Sequence, residues 1–331
     1  MKILVTGGAG YIGSYMVRVL LQNRLVPIVL DTLENGHREA IASGAILVQG
    51  SIGDRGKLTK LFKDHQIEAV MHFAAYTLVE ESMQEPQMYF QNNLLTPLTL
   101  LEVMEAFKVN KFIFSSTAAV YGSPVHIPIK EDDPKAPTNT YGLSKWNFEQ
   151  LLSYYDRNKG IRSISLRYFN AAGADPAGDI GEDHHPETHL IPLACATALG
   201  QRPQFLIYGT KYPTSDGSAV RDFIHIADLC QAHLLTLAAL SDGHESAVYN
   251  VGTGKGFSVK EVVKKVKAVS NIDFPVKEVG PRSGDPHALV ASAGKLSKEF
   301  GWKPKYSDLE TIVATAWRWH RTHPQGYAYR R

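Results

Sequence analysis

Tyr141-Gly142-Leu143-Ser144-Lys145 sets a phenol and an ammonium four residues apart, which on a helix places both on one face. A tyrosine of pKa about 10 is a poor base at neutral pH. A neighbouring positive charge favours the phenolate, and bringing its pKa to about 7 takes roughly 4 kcal/mol of differential interaction. Such a phenolate could take a proton from an alcohol and return it. Phe112-Ile113-Phe114 runs into Ser115-Ser116-Thr117, a strand ending in hydroxyls that could bridge the phenol and a substrate oxygen. The same spacing recurs at Tyr155 and Lys159, but among Asp156-Arg157-Asn158 at the outer end of the helix, where it reads as solvated surface.

A second chemistry-bearing stretch opens the chain. Lys2-Ile3-Leu4-Val5-Thr6 leads straight into Gly7-Gly8-Ala9-Gly10-Tyr11-Ile12-Gly13, a buried strand followed by a tight turn that opens a helix. Glycine permits the sharp turn and lets the backbone approach a pyrophosphate seated at the helix N-terminus. The next strand, Pro27-Ile28-Val29-Leu30, ends at Asp31. A carboxylate about 20 residues beyond the glycines accepts hydrogen bonds from an adenosine ribose and repels a 2′-phosphate. NAD is therefore favoured over NADP.

The elements that must position these groups alternate. Strands are expected at Ile3–Val5, Ile28–Leu30, Ile46–Val48, Ala69–Phe73, Phe112–Phe114 and Ile164–Leu166, with helices near Ile12–Gln22, Lys57–His65, Leu94–Phe107 and Tyr141–Asn158. This is an α/β pattern, a Rossmann-type doubly wound parallel sheet with ligands at the carboxyl ends of its strands. After Asn170 glycine and proline become frequent and strands short, which predicts a smaller, interleaved C-terminal α/β subdomain for substrate. Residues 1–170 are assigned to the dinucleotide domain, with 222–250 returning to it; 171–221 and 251–331 form the substrate subdomain. Helix Leu94–Phe107 is apolar on most sides, as a buried helix or a dimer seam would be.

Composition removes other classes. The 331 residues carry a net charge of +2 without long charged runs, so neither nucleic acid nor an anionic membrane is implied as partner. No export signal or membrane-length apolar run is visible, and the cytoplasm is the expected location. Cys195 and Cys230 lie in apolar helical segments and read as small buried hydrophobes. Glu182, His184, His185, Glu187 and His189 fall in a proline-containing loop whose spacing fits no helix-face ligand pair, and no metal is expected there. Gly252-Thr253-Gly254-Lys255-Gly256 lacks the Ser or Thr of a phosphate-binding loop and reads as a turn after a strand. His37 reads as loop surface.

Taken in order, Gly7-x-x-Gly10-x-x-Gly13, Asp31, Phe73-Ala74-Ala75, Asn92-Asn93, Ser115-Ser116-Thr117, Tyr141-x-x-x-Lys145 and Leu166-Arg167-Tyr168-Phe169-Asn170 resemble the extended short-chain dehydrogenase/reductases. Arg167 to Ala174, Asp216-Gly217 with Val220 to His225, Asn250 to Gly254, and Pro281-Arg282-x-Gly284-Asp285 narrow the resemblance to the UDP-glucose (UDP-galactose) 4-epimerases. It covers nearly the whole chain.

That resemblance implies an isomerase with tightly held NAD. Tyr141 would take the proton from the sugar 4-hydroxyl as C4 gives up hydride, Lys145 would hold the nicotinamide ribose and lower the Tyr141 pKa, and Thr117 would bond the 4-oxygen. The 4-keto sugar would then present its other face. Tyr11, Ile12, Asp31, Asn35, Ser51, Ile52, Phe73, Ala74, Ala75, Thr77, Asn93, Ser115 and Tyr168 would complete the cofactor shell. UDP-sugar contacts would come from Asn170, His189, Leu190, Phe205, Leu206, Tyr208, Arg221, Arg282 and Asp285; paired arginines suit a diphosphate. A homodimer is also implied.

Three positions depart from the family pattern. Ser51 stands where an adenine-binding aspartate is common, Thr77 where a lysine is, and Leu289 where strict hexose enzymes have tyrosine. Leu289 leaves UDP-N-acetylglucosamine and the UDP-xylose/UDP-arabinose pair open as alternative substrates. Dehydration is disfavoured, because Thr117 is followed by Ala118-Ala119, which can neither donate nor accept a proton. A non-catalytic NAD-binding regulator would not require Tyr141 and Lys145, and an ordinary dehydrogenase would release NADH.

Overall fold

The stretches expected to be strands line up side by side. In the structure, a computed structural model that describes residues 1–282 and 286–329, they are β1 (Lys2–Thr6), β2 (Val26–Asp31), β3 (Ile46–Gln49), β4 (Ala69–His72), β5 (Lys111–Thr117) and β6 (Arg162–Tyr168). With the strand Ala247–Val251 they form one seven-stranded sheet, in the order Ala247–Val251, β6, β5, β4, β1, β2, β3. β1 pairs in parallel with β2 on one side and β4 on the other. The direction of winding reverses between β1 and β4, so their carboxyl ends flank the crevice where such sheets bind ligands. Ile3, Leu4, Val5, Ile28, Val29, Val70, Met71, Phe112, Ile113 and Phe114 are all fully buried, as expected of strands covered on both faces.

Two units are recognisable. The first holds Met1–Gly122, Lys135–Arg167 and Cys230–Tyr249; the second holds Ser123–Pro134, Tyr168–Leu229 and Asn250–Arg331. In the first, helix α1 (Tyr11–Gln22) buries Met16, Val17 and Leu20. Helix α2 (Arg55–His65) is capped by Asp54, whose side chain accepts from Lys57 N at 2.9 Å. The apolar helix expected from Leu94 runs from Thr96 to Ala106 and follows a π-helical turn at Gln91–Leu95. Its Leu100, Leu101, Val103 and Met104 join Leu58, Leu61 and Phe62 of α2 in the core, while Leu95 and Phe107 remain exposed.

The second unit packs helices Leu190–Ala198, Val259–Ser270 and Leu309–Thr322 around a separate core that includes Ile191, Cys195, Val262, Ile312 and Trp317. Its bounds differ from the sequence-based ones by a residue or a few at 168–170 and 250, and by longer segments at 222–229 and 123–134. Residues 222–229 stay in it because Phe223–His225 pairs with Asn170–Ala172. Residues 123–134 belong to it because Ile129 N donates to Val290 O and Ser292 N to Ile129 O, each at 2.8 Å. Neither pairing is written in local periodicity. Among the described residues no helix is long and apolar enough to cross a membrane.

Candidate active site

The glycine run is needed for its shape. Gly7 has φ +70°, and a Cβ there would lie 2.5 Å from Ala74 N, while one at Gly13 would lie 2.1 Å from Gly7 O. Gly10 is the N-cap of α1 and has no side chain to cover the helix N-terminus, which leaves that end, including Tyr11 and Ile12, shaped for an anion. Asp31, buried at the end of β2, accepts from Ala9 N and Leu33 N at 2.9 Å each, one at each carboxylate oxygen. A carboxylate offers about four lone-pair directions, so two remain for ribose hydroxyls. His37 N donates to Ala9 O at 2.9 Å, which ties the loop carrying the exposed Asn35 to the glycine turn.

The other strand ends add walls. Ser51 follows β3 and its hydroxyl accepts from Gly53 N at 3.1 Å; the Ile52 side chain lies in the core against the helices rather than at the surface. After β4, Phe73 N and Ala74 N both donate to Thr6 O, Ala75 follows half-buried, and Thr77 is exposed. Asn93, on the π turn, receives Tyr76 N at 2.9 Å and donates to Tyr76 O at 2.9 Å and to Ser144 Oγ at 3.3 Å. Its amide is committed to holding the 74–77 loop, so it acts here as a positioning residue.

The tyrosine and lysine stand on helix Thr140–Lys159, which is capped by Asn139 accepting from Gly142 N at 2.8 Å. Gly142 lets the helix press on the turn after β5; a Cβ there would be 2.6 Å from Ala119 O. That contact brings Tyr141 within hydrogen-bonding reach of Thr117. Lys145, only 2% exposed, donates to Ser115 O at 2.9 Å and lies over the Phe114 ring at 4.8 Å. Ser115 Oγ is 3.3 Å from His233 Nε2, and the His233 ring lies tilted against Phe73 with centroids 4.9 Å apart. Lys159 pairs with Glu105 at 2.8 Å on the surface, whereas Tyr155 is half-buried and packs against the core rather than standing as solvated surface.

Burial dominates the electrostatics of both groups. Burial pushes the Tyr141 phenol up to about 12, opposed by the Thr117 hydrogen bond. Burial also brings the Lys145 ammonium down to about 7, with Glu149 opposing. In the protein's own groups burial is the largest influence on both, and a positive nicotinamide beside them would act in the opposite direction on the phenol.

One buried group escaped the sequence reasoning. Glu149 continues the face of Tyr141 and Lys145 and receives Arg167 Nε at 3.0 Å and Arg167 Nη2 at 2.5 Å. Ser116 Oγ also donates to it, and Arg167 Nη1 donates to Tyr121 Oη at 2.8 Å. The spacing of Glu149 four residues after Lys145 was the available signal.

In the second unit a cavity of 370 Å³ gathers Asn170, His189, Leu190, Phe205, Leu206, Tyr208, Arg221 and Arg282. These are residues from five separate stretches of sequence, and the fold converges them. The Arg282 guanidinium lies over the Tyr208 ring at 4.1 Å, and Arg221 Nη1 donates to Val220 O at 2.8 Å. Arg202 adds a third guanidinium that no motif announced. Leu289 does not line the cavity but sits opposite Arg221 in a short parallel pairing. Tyr168 ends β6, and Asp285 lies outside the described residues.

Residues 3–252 match the NAD dependent epimerase/dehydratase family. The chain is 49% identical over 328 residues to a UDP-glucose 4-epimerase of Halalkalibacterium halodurans, covering 99% of this chain and 98% of that one. A solved UDP-glucose 4-epimerase structure superposes with a TM-score of 0.97 at 49% identity over 99% of both chains. The Brucella ovis UDP-glucose 4-epimerase, solved in complex with NAD, superposes with a TM-score of 0.93 at 39% identity, covering 96% of this chain and 97% of that one.

Proposed function

The chain belongs to the NAD dependent epimerase/dehydratase family, and from that premise we propose that it inverts C4 of a UDP-sugar, with UDP-glucose and UDP-galactose as the pair. The observation that carries this reading is the buried Tyr141, close to Thr117 and one helical turn from the buried Lys145. The glycine turn and Asp31 fit a dinucleotide without a 2′-phosphate. The chemistry NAD supplies when bound is reversible acceptance of hydride from the sugar C4.

Tyr141 Oη takes the 4-hydroxyl proton as the C4–H bond breaks and returns it when the bond re-forms on the opposite face. Thr117 orients the phenol and relays to the sugar oxygen. Lys145, held by Ser115 O, contributes positive charge that favours phenolate, and a positive nicotinamide adds to it. The burial of both residues keeps water from the proton in transit. Arg221 and Arg282 hold the diphosphate, while the hexose stays loose enough to present either face.

We place the enzyme in the cytoplasm as a homodimer. The unbridged thiols of Cys195 and Cys230 support a reducing compartment. The exposed Leu95 and Leu143, on a π turn and a helix that pack together, support an apolar dimer seam. Leu289 supports a second reading of the substrate, in which N-acetylated or pentose UDP-sugars also turn over.

Proton NMR of the purified chain with UDP-glucose, UDP-xylose and UDP-N-acetylglucosamine, without added cofactor, tests the function. Conversion of UDP-glucose to UDP-galactose is expected, and relative rates rank the sugars. No epimer from any of them, even with added NAD, would refute it.

A further inference from the structure

The loop before helix Leu190–Ala198 doubles back so that Glu182, His184, Glu187 and His189 meet, with one potential ligand atom from each all within 4.8 Å of one another. His189 Nδ1 lies 2.9 Å from both Glu182 Oε1 and Glu187 Oε1. His184 Nδ1 lies 3.4 Å from Glu182 Oε1 and 3.6 Å from Glu187 Oε2. Four ligands bonded to one ion at about 2.0–2.1 Å stand about 3.3–3.4 Å apart along the edges of a tetrahedron. The four His–Glu separations, 2.9 to 3.6 Å, lie around that value, and the widest spacing in the set is within 4.8 Å.

The contacts of the cluster crowd onto a few atoms. One Nδ1 carries at most one hydrogen, yet that of His189 has two carboxylate oxygens at equal distance. Glu187 Oε1 additionally receives Thr188 N and His189 N at 2.7 Å each, which fixes its carboxylate in place. The Glu182 side chain is 5% exposed, and a buried carboxylate demands positive charge nearby. The loop is also anchored from outside: Gly181 N donates to Tyr327 Oη at 3.0 Å and Tyr327 N to Asp183 Oδ2 at 2.9 Å.

We propose that Glu182, His184, Glu187 and His189 form a binding site for a divalent cation of the zinc class. Two imidazole nitrogens with two carboxylate oxygens and no thiolate suit such an ion better than calcium, magnesium or monovalent copper. The Nδ1 atoms give up their hydrogens to solvent on binding, and the ion's two charges balance the two carboxylates. The four ligands leave no open position, so the ion is structural and takes no part in epimerisation. Glu182, Glu187 and His189 also line the 370 Å³ cavity, so the ion fixes that wall. Spacing along the chain concealed the site because the loop, not a helix, converges the ligands.

The test is metal content of the NAD-loaded chain after incubation with one equivalent of Zn²⁺ and gel filtration. About one zinc per chain is expected in the wild type and less than about half of that in His184→Ala and, separately, Glu187→Gln. Loss of a mere ligand-supporting group costs about 10–100-fold in affinity, so loss of a ligand should cost no less. Zinc-edge X-ray absorption should show four nitrogen or oxygen neighbours at about 2.0–2.1 Å. A wild-type content below about half an equivalent would overturn the proposal, as would a folded variant that keeps the wild-type amount. Because the readout is bound metal, failure here is distinct from failure of the epimerase reading.

Discussion

The Lys145 ammonium donates to the carbonyl oxygen of Ser115 at 2.9 Å, so the end of β5, not a carboxylate, sets where that charge stands. The carboxylate one turn further along the helix, Glu149, is taken by Arg167. Lys145 thus keeps a weakly compensated, buried ammonium beside Tyr141, an arrangement costly to stability and useful to a phenol that must lose its proton.

That cost depends on pH. The folded-state pKa of Lys145 is about 7 against 10.5 for an ordinary lysine. Between these values the unfolded chain binds a proton that the folded chain does not, so this group's contribution to stability rises with pH. Lys145→Met removes the dependence. The variant's advantage in urea unfolding should shrink by about 1.4 kcal/mol per unit from about pH 7.5 to 9. A gap flat across that range would show that Lys145 is charged in the folded state throughout.

Tyr141→Phe should lower kcat by about 10³-fold or more while the purified protein keeps its NAD absorbance, since proton transfer by a positioned group contributes about 10²–10⁴-fold. Thr117→Val, which spares the phenol, should cost less, about 10–100-fold. Equal losses in both variants would mean that Thr117, not Tyr141, receives the proton.

Glu149→Ala should destabilise the protein by about 3–5 kcal/mol, because it strands Arg167 inside the fold. Thermal unfolding would report it. A loss under about 1 kcal/mol would place water around Arg167 that its 2% exposure argues against.

Arg282→Ala should raise KM for the UDP-sugar and weaken UDP itself by about 10-fold or more with little change in kcat, as loss of a charge-assisted contact does. Leu289→Tyr should depress turnover of UDP-N-acetylglucosamine more than that of UDP-glucose. Parallel losses on both sugars would move the size gate elsewhere.

Strand ends and glycines were legible because buried parallel strands and tight turns write themselves in local residue types. Tyr141, Lys145 and Asp31 were legible because each sits at a fixed offset from such an element. Glu149, Arg202 and the convergence of residues 182–189 were not, since each depends on contacts between distant or irregular segments. The motif at Asn93 did not announce that its amide holds the backbone of Tyr76. The Ile52 side chain completes the core, so only its backbone is left for the cofactor contact that the resemblance implies.

The most direct measurement is the fate of deuterium at C4. UDP-glucose carrying ²H at C4 should give UDP-galactose with that deuterium retained, a rate slowed by the isotope, and no NADH released, because the hydride leaves and returns within one closed site. Replacement of the deuterium by solvent hydrogen, or NADH accumulating with product, would contradict transient oxidation at C4 by a retained cofactor.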